Sequence, residues 1–248
     1  ALVYQVAWQR ILALHTGVGV YSVALIVSAF MAGLGLGSHL GGLLSRRLDR
    51  VRALQAFALL ELGVGLFAAS SAWLYYDLLY VRGGALYAVP WCAALLHFAA
   101  LLPPTTLMGM SLPLVARAMV RDGASAARTL GLLYGLNVVG AALGAWLAPW
   151  LLIRELGLRH AILVGAVANV AAGLGALALR RRVPEESPPA SLPTPGPDDG
   201  GGEGASLRLW LGLYALSGFC ALALEVLWTR CQVVTAGRST AGARVYDA

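Results

Sequence analysis

An all-α, polytopic membrane helical bundle is the fold class this sequence predicts, and three observations carry the prediction. Of its 248 residues, 59% are hydrophobic and 12% charged, about half the charged share of an ordinary soluble domain at roughly 25%. The apolar residues fall in runs of twenty or more, enough to cross a hydrocarbon core of roughly 30 Å at about 1.5 Å per residue. The basic residues are all arginine and stand at the ends of those runs, where positive charge fixes orientation in a bilayer. The net charge of +6 therefore reads as a topology signal. The arginines form no patch interleaved with aromatics, so nucleic acid is not an expected partner and the lipid bilayer is.

Residues 1–14 form an apolar run too short to span, carrying Gln5 and Arg10. It reads as the tail of a truncated first helix, because the charge before the core and the small-residue cleavage site of a signal peptide are not visible. Residues 20–52 make the second span and end in Arg46, Arg47, Arg50 and Arg52. Within it Gly33, Gly37 and Gly41 recur every fourth residue, a bare stripe that lets another helix backbone approach closely. Residues 53–76 form the third span, with Glu61 well inside it.

Residues 89–119 would make a straight helix of roughly 46 Å, longer than one crossing needs. Pro103 and Pro104 fall at its middle. Proline lacks the backbone donor and crowds the preceding turn, so a kink is expected, with Thr105 and Thr106 placed to satisfy freed carbonyls. The rival is a re-entrant hairpin reversing at the prolines. Charge favours the single kinked span. It puts Arg46, Arg47, Arg50, Arg52, Arg117, Arg121, Arg128, Arg180, Arg181 and Arg182 in loops on one side, and only Arg82, Arg154 and Arg159 on the other, the bias expected of a cytoplasmic face.

The fifth helix is then 130–153, with Gly140 and Gly144 as a second small-residue pair, and the sixth 161–179. Residues 1–182 thus make a six-helix membrane bundle. Residues 183–206 hold six prolines and five acids with almost nothing apolar, a composition that builds no core and reads as a disordered linker. Apolar character returns over 207–230 as a seventh span, followed by a tail, 231–248, that does not read as one. Placing 221–230, ALALEVLWTR, under 1–10, ALVYQVAWQR, matches half of the ten positions. Such self-similarity between helical halves marks many transporter folds.

The runs YQVAWQRILAL, FMAGLGLGSHLGG, PTTLMGMSLPLVARAMV and LYGLNVVGAALGAWLAPWLL resemble the membrane region of the fused major facilitator and spermidine synthase-like proteins. LEVLWTR at 224–230 resembles that family's opening motif, repeated at its seventh helix. The resemblance covers nearly all of residues 1–230. It implies a major-facilitator-like first six-helix half plus a seventh helix that starts a second repeat. It also implies a bacterial inner-membrane location, with the N-terminus and the 183–206 linker cytoplasmic. In such proteins a soluble aminopropyltransferase-like domain with a Rossmann-type nucleotide site usually follows. The present sequence departs there, since the acids that would hold a polyamine and decarboxylated adenosylmethionine are absent. Aminopropyltransferase activity is implied only for a longer parent protein, and no catalytic residue is assigned in this chain. Gly33, Gly35 and Gly37 imitate a dinucleotide loop, yet no soluble strand precedes them, and helix packing is the better account.

Ionisable groups at mid-membrane cost roughly 2.5 to 3.5 kcal/mol, so each asks for a partner or a cavity. Glu61 is the first candidate, as counter-charge for a small cationic substrate such as a polyamine, as a proton acceptor, or as the partner of Arg10. Gln5 and Glu225 hold corresponding positions in the two repeats. Asn137 offers hydrogen bonds between helices. His39 and His97 are able to shuttle protons or simply to pack. Trp8, Trp73, Tyr75, Tyr76, Tyr80 and Trp91 stand near span ends, as interfacial aromatics do. GSHLGGLLSRRLDRVR loosely resembles the gating loop of major facilitators, nominating Asp49 with Arg46 or Arg50 as a latch, against a plain cytoplasmic cap. Cys92, Cys220 and Cys231 have no metal-ligand spacing and read as small buried hydrophobes. No cofactor or metal is expected. Two functions fit: a membrane module that anchors or supplies an aminopropyltransferase-like domain, and a transporter of small cations or an inactive fragment of one.

Overall fold

The computed structural model describes residues 1–16, 20–82, 89–120 and 123–182, with Gly212, Leu216 and Cys220. The chain divides into two units, Ala1–Ser187 and Pro188–Ala248. In the second, Gly212, Leu216 and Cys220 are helical and exposed. The 183–206 linker, most of the seventh span, Glu225, Cys231 and the 231–248 tail lie outside the described residues.

The first unit is helical, with no strand among the described residues. Helix α1 is Leu2–Thr16, α2 Val20–Ser45 and α3 Arg50–Ala72, which runs on as a π-helical stretch, Trp73–Arg82. Helix α4 is Pro90–Met119, α5 is Gly123–Leu147 with a π-helical extension Ala148–Leu152, and α6 is Ile153–Leu179, ending in a 3-10 turn, Arg180–Arg182. Among the described residues, four stretches are long and apolar enough to cross a membrane: Val23–Ser45, Arg50–Leu79, Trp91–Met119 and Ala126–Leu179. The last has 54 residues and is broken at Gly157, whose φ of +81° is a left-handed value that glycine tolerates and other residues rarely do. The expected end of the fifth helix at 153 and start of the sixth at 161 bracket this break. Large apolar side chains point outward along these stretches, Leu66 at 74% exposure and Trp91 at 80% among them, a surface suited to lipid rather than water.

Two close helix pairs organise the unit. Helix α2 lies along α4 because its glycine stripe removes the side chains that would hold the helices apart. A Cβ on Gly33 would collide with the Thr105 side chain, one on Gly37 with the Thr106 carbonyl, and one on Gly41 with the Met110 backbone at 2.9 Å. Gly109 returns the arrangement from α4, facing the Leu34 backbone. Helices α3 and α6 form the second pair, with Gly65 against the Ala166 carbonyl and Gly173 against the Ala58 carbonyl. The predicted pair on α5 is half used: Gly144 approaches Val3 of α1, while Gly140 faces open space.

Helix α4 runs unbroken through Pro103, Pro104 and Pro113, so the hairpin reading is excluded. The hydrogen bonds differ from expectation. Thr105 and Thr106 donate to the carbonyls of Leu101 and Leu102 at 2.8 and 2.7 Å, whereas Pro104 frees the carbonyl four residues earlier, that of Ala100. That oxygen accepts instead from the Tyr75 hydroxyl at 3.1 Å. Tyr75 is therefore a buried core residue and not an interfacial one, and so is Trp8. Trp8 stacks on Tyr4, meets Phe30, Phe67 and Tyr75, and donates its indole N–H to Ser71 at 2.9 Å. Burial satisfies the polar tips of both rings, which removes the reason for an aromatic to seek the interface. Trp73, Tyr76 and Trp91 are exposed, as expected. Cys92 is exposed, not buried.

Arg50 and Arg117 meet at one end of the unit. Arg50 donates from Nε to the Ala118 carbonyl, and Arg117 from Nε to the Leu48 carbonyl, both at 3.0 Å. This reciprocal pair ties the α2–α3 connection to the end of α4. Ala53, Leu54, Ala58, Ala118 and Ala176 pack together beneath it, which brings the end of α6 and Arg180–Arg182 to the same face. Arg159 lines a cavity of about 300 Å³ with Ile11, Tyr76 and Asp77, beside the start of α6.

Candidate functional site

The site is built on Glu61. It sits near the middle of the Arg50–Leu79 stretch, roughly 16 Å along the axis from Arg50. Its carboxylate is half-buried between α4 and α6. The Ser111 hydroxyl of α4 donates to Oε1 at 2.9 Å, and the Asn169 amide nitrogen of α6 donates to Oε2 at 2.9 Å. The Asn169 carbonyl oxygen in turn accepts from the Tyr4 hydroxyl of α1 at 3.2 Å. Four helices thus meet at one carboxylate.

Local packing fixes each partner. Tyr4 is held by stacking on Trp8 and by Gly165, where a Cβ would reach the phenol ring at 2.7 Å. Asn169 is drawn to α3 by the neighbouring Gly65–Ala166 approach. Ser111 lies one turn beyond Leu107, in the segment of α4 that packs on the glycines of α2. Both oxygens of Glu61 receive a neutral donor, and no ion pair to it occurs among the described residues. Two neutral hydrogen bonds offset only part of the cost of a charge in an apolar surrounding.

The expected partner Arg10 is not there. It is exposed on α1, and the acid is satisfied by Ser111 and Asn169 instead. Gln5 is half-buried on α1, and Asn137 is exposed on α5; neither side chain hydrogen-bonds to another helix among the described residues. Glu61 is therefore not joined by these two, and Glu225 lies outside the described residues. His97 is buried in α4, while His39 is exposed on α2.

Asp49 does not pair with Arg46 or Arg50. It caps α3, accepting from the Arg52 backbone N–H at 2.7 Å, and it pairs with the Arg52 side chain at 3.3 Å. Arg46 is exposed, and Arg50 is committed to Ala118. Pro103 is exposed and Pro104 buried. Among the described residues no group of three or more His, Cys, Asp or Glu is placed to hold a metal ion.

Tyr4, Ser111 and Asn169 were not singled out from the sequence. Asn169 carried the signal that nominated Asn137, an amide inside an apolar run. Ser111 stood in the PTTLMGMSLPL segment without a visible partner.

A polyamine aminopropyltransferase from Corynebacterium efficiens is 31% identical over 189 residues, 74% of this chain. This chain is similar to part of that protein. It spans about a third of the relative's length, 34%. No family model matches the chain, and no solved structure matches it.

Proposed function

We propose that this chain is the membrane-embedded module of a polyamine aminopropyltransferase-like protein, anchoring a soluble transferase domain and supplying it from the bilayer side. The single observation that carries the reading is the similarity to the Corynebacterium efficiens enzyme in a chain made of long apolar helices. Its partners are then the lipid bilayer and the transferase domain. The helices form a major-facilitator-like first half, 1–182, followed by the 183–206 linker and a seventh helix, 207–230, that opens a second repeat. The module lies in a bacterial inner membrane with the N-terminus and the linker in the cytoplasm, a placement supported by the arginine-rich end of the unit.

The test uses the protein encoded by the complete reading frame. Aminopropyl transfer from decarboxylated adenosylmethionine to a polyamine acceptor is assayed in membrane and soluble fractions, with and without all of the protein's membrane helices, 207–230 included. The reading expects membrane-bound activity that becomes soluble on deletion. Absence of transferase activity, or activity that stays on the membrane after deletion, overturns it.

A second reading, transport of a small cation such as a polyamine, is favoured by Glu61, a carboxylate inside the helices with no ion pair among the described residues. Uptake into vesicles by the complete protein, lost in Glu61→Gln, supports it. No uptake by the complete protein removes it.

A further inference from the structure

We infer that the four-helix cluster around Glu61 is a proton-binding site, in which Glu61 takes up and releases a proton while Ser111, Asn169 and Tyr4 stay in place. The inference rests on neither the tethering nor the transport reading.

The chemistry of the three neighbours points to a proton rather than a larger cation. A cation held by Glu61 would need several acceptor oxygens facing it, but Asn169 presents an N–H and Ser111 offers a single hydroxyl. Two cavities of the unit, one beside Glu155, His160 and Val164 and one beside Ile11, Tyr76 and Arg159, are not lined by Glu61. A proton needs no cavity.

The neighbours also accommodate both states of the acid. With Glu61 ionised, Ser111 and Asn169 each donate to it. With Glu61 protonated, its O–H donates to the Ser111 oxygen, because a hydroxyl accepts as readily as it donates. The Ser111 proton then turns toward a carbonyl one turn back, a bond helical serines commonly make. Asn169 differs, because its Nδ2 donates only. The Tyr4 hydroxyl occupies the Asn169 carbonyl and so keeps that nitrogen aimed at Glu61. Serine thus serves both states, whereas the asparagine, held by the tyrosine, favours the anion.

The titratable group of α1 that acts on Glu61 is the Tyr4 phenol. Helices α4 and α6 present the neutral Ser111 and Asn169. Arg10 faces outward, and Arg50 and Arg117 are engaged at the end of the unit.

The test is infrared difference spectroscopy of the full chain in lipid nanodiscs, titrated across about pH 4 to 10, the span over which buried carboxyls have been seen to titrate. A carboxylic C=O band should appear as pH falls in the parent chain and be missing in Glu61→Gln. Asn169→Leu removes a hydrogen bond that only the anion receives and should raise the proton affinity about tenfold, whereas Ser111→Ala should change it less than about threefold. Tyr4→Phe, which does not touch Glu61, lets the Asn169 amide turn its oxygen to the acid and should raise the affinity a few-fold. It serves if Asn169→Leu fails to fold. The inference is overturned if no Glu61-dependent band appears, if the band is present at every pH, or if Tyr4→Phe leaves the midpoint where it was.

Discussion

Replacing Gly37 by alanine tests the packing that holds α2 on α4, and Gly35 supplies the control two residues away. A Cβ at position 37 would run into the Thr106 carbonyl and would lie 2.9 Å from both the Gly109 Cα and the Thr106 carbonyl carbon, while one at position 35 meets nothing within 4 Å. The obstructing atoms at 37 are backbone, so no side chain can swing aside. Normal contact requires the two helices to separate by more than about 1 Å, which also loosens Gly33 on Thr105 and Gly41 on Met110. Overpacking of this kind costs about 1–3 kcal/mol. The gain in helix propensity from glycine to alanine is about 1 kcal/mol and applies to both variants. Gly37→Ala should therefore be less stable than Gly35→Ala by about 1–3 kcal/mol, a change of roughly 5- to 150-fold in the folded-to-unfolded ratio. Unfolding in mixed micelles of rising denaturing-detergent fraction, followed by circular dichroism, measures the difference. Equal stability of the two variants, within about 0.5 kcal/mol, would refute the reasoning.

The same unfolding assay checks three further expectations. Tyr75→Phe leaves the Ala100 carbonyl below Pro104 without its donor and should cost about 1–2 kcal/mol, more than an ordinary Tyr→Phe change at an exposed site such as Tyr134. Asp49→Ala should cost about 1 kcal/mol through loss of the α3 cap, and Asp49→Asn should restore nearly all of it, because asparagine caps as well as aspartate but forms no ion pair. Failure of asparagine to restore stability would favour a charge latch. Arg50→Gln and Arg117→Gln cut two bonds joining the same pair of segments, so the double variant should lose less than the sum of the singles; strict additivity would show that the bonds act independently.

Much of the fold was legible because helix faces and lengths are written locally. Gly33, Gly37 and Gly41 announce a close approach by their spacing alone, and the break near Gly157 lies between two apolar runs. The partner of a face is not local. Nothing in α2 says that Thr105, Thr106 and Met110 meet its glycines, and Gly65 and Gly173, far apart in the sequence, declare no pairing. The prolines illustrate the same division. That Pro104 frees a carbonyl follows from covalent structure, but the Tyr75 hydroxyl that takes it comes from a segment 25 residues earlier. At Glu61 the need for a partner was legible from its apolar setting. Its identity was not, because Ser111 and Asn169 lie 50 and 108 residues away and neither carries charge. Opposite charge in the sequence points to Arg10, whereas two neutral donors satisfy the acid. Trp8 and Tyr75 misled for a related reason: position near a span end suggests an interface, and only the Ser71 and Ala100 acceptors show that their polar tips are satisfied inside.

The proposed function requires these helices to cross a bilayer with the arginine-rich end in the cytoplasm. A chain with Cys92, Cys220 and Cys231 replaced by serine, carrying one new cysteine at Arg47 or at Asp77, is labelled in intact cells with a membrane-impermeant maleimide. The account predicts that Asp77→Cys reacts from outside and that Arg47→Cys reacts only after lysis. Labelling of Arg47→Cys in intact cells would contradict it.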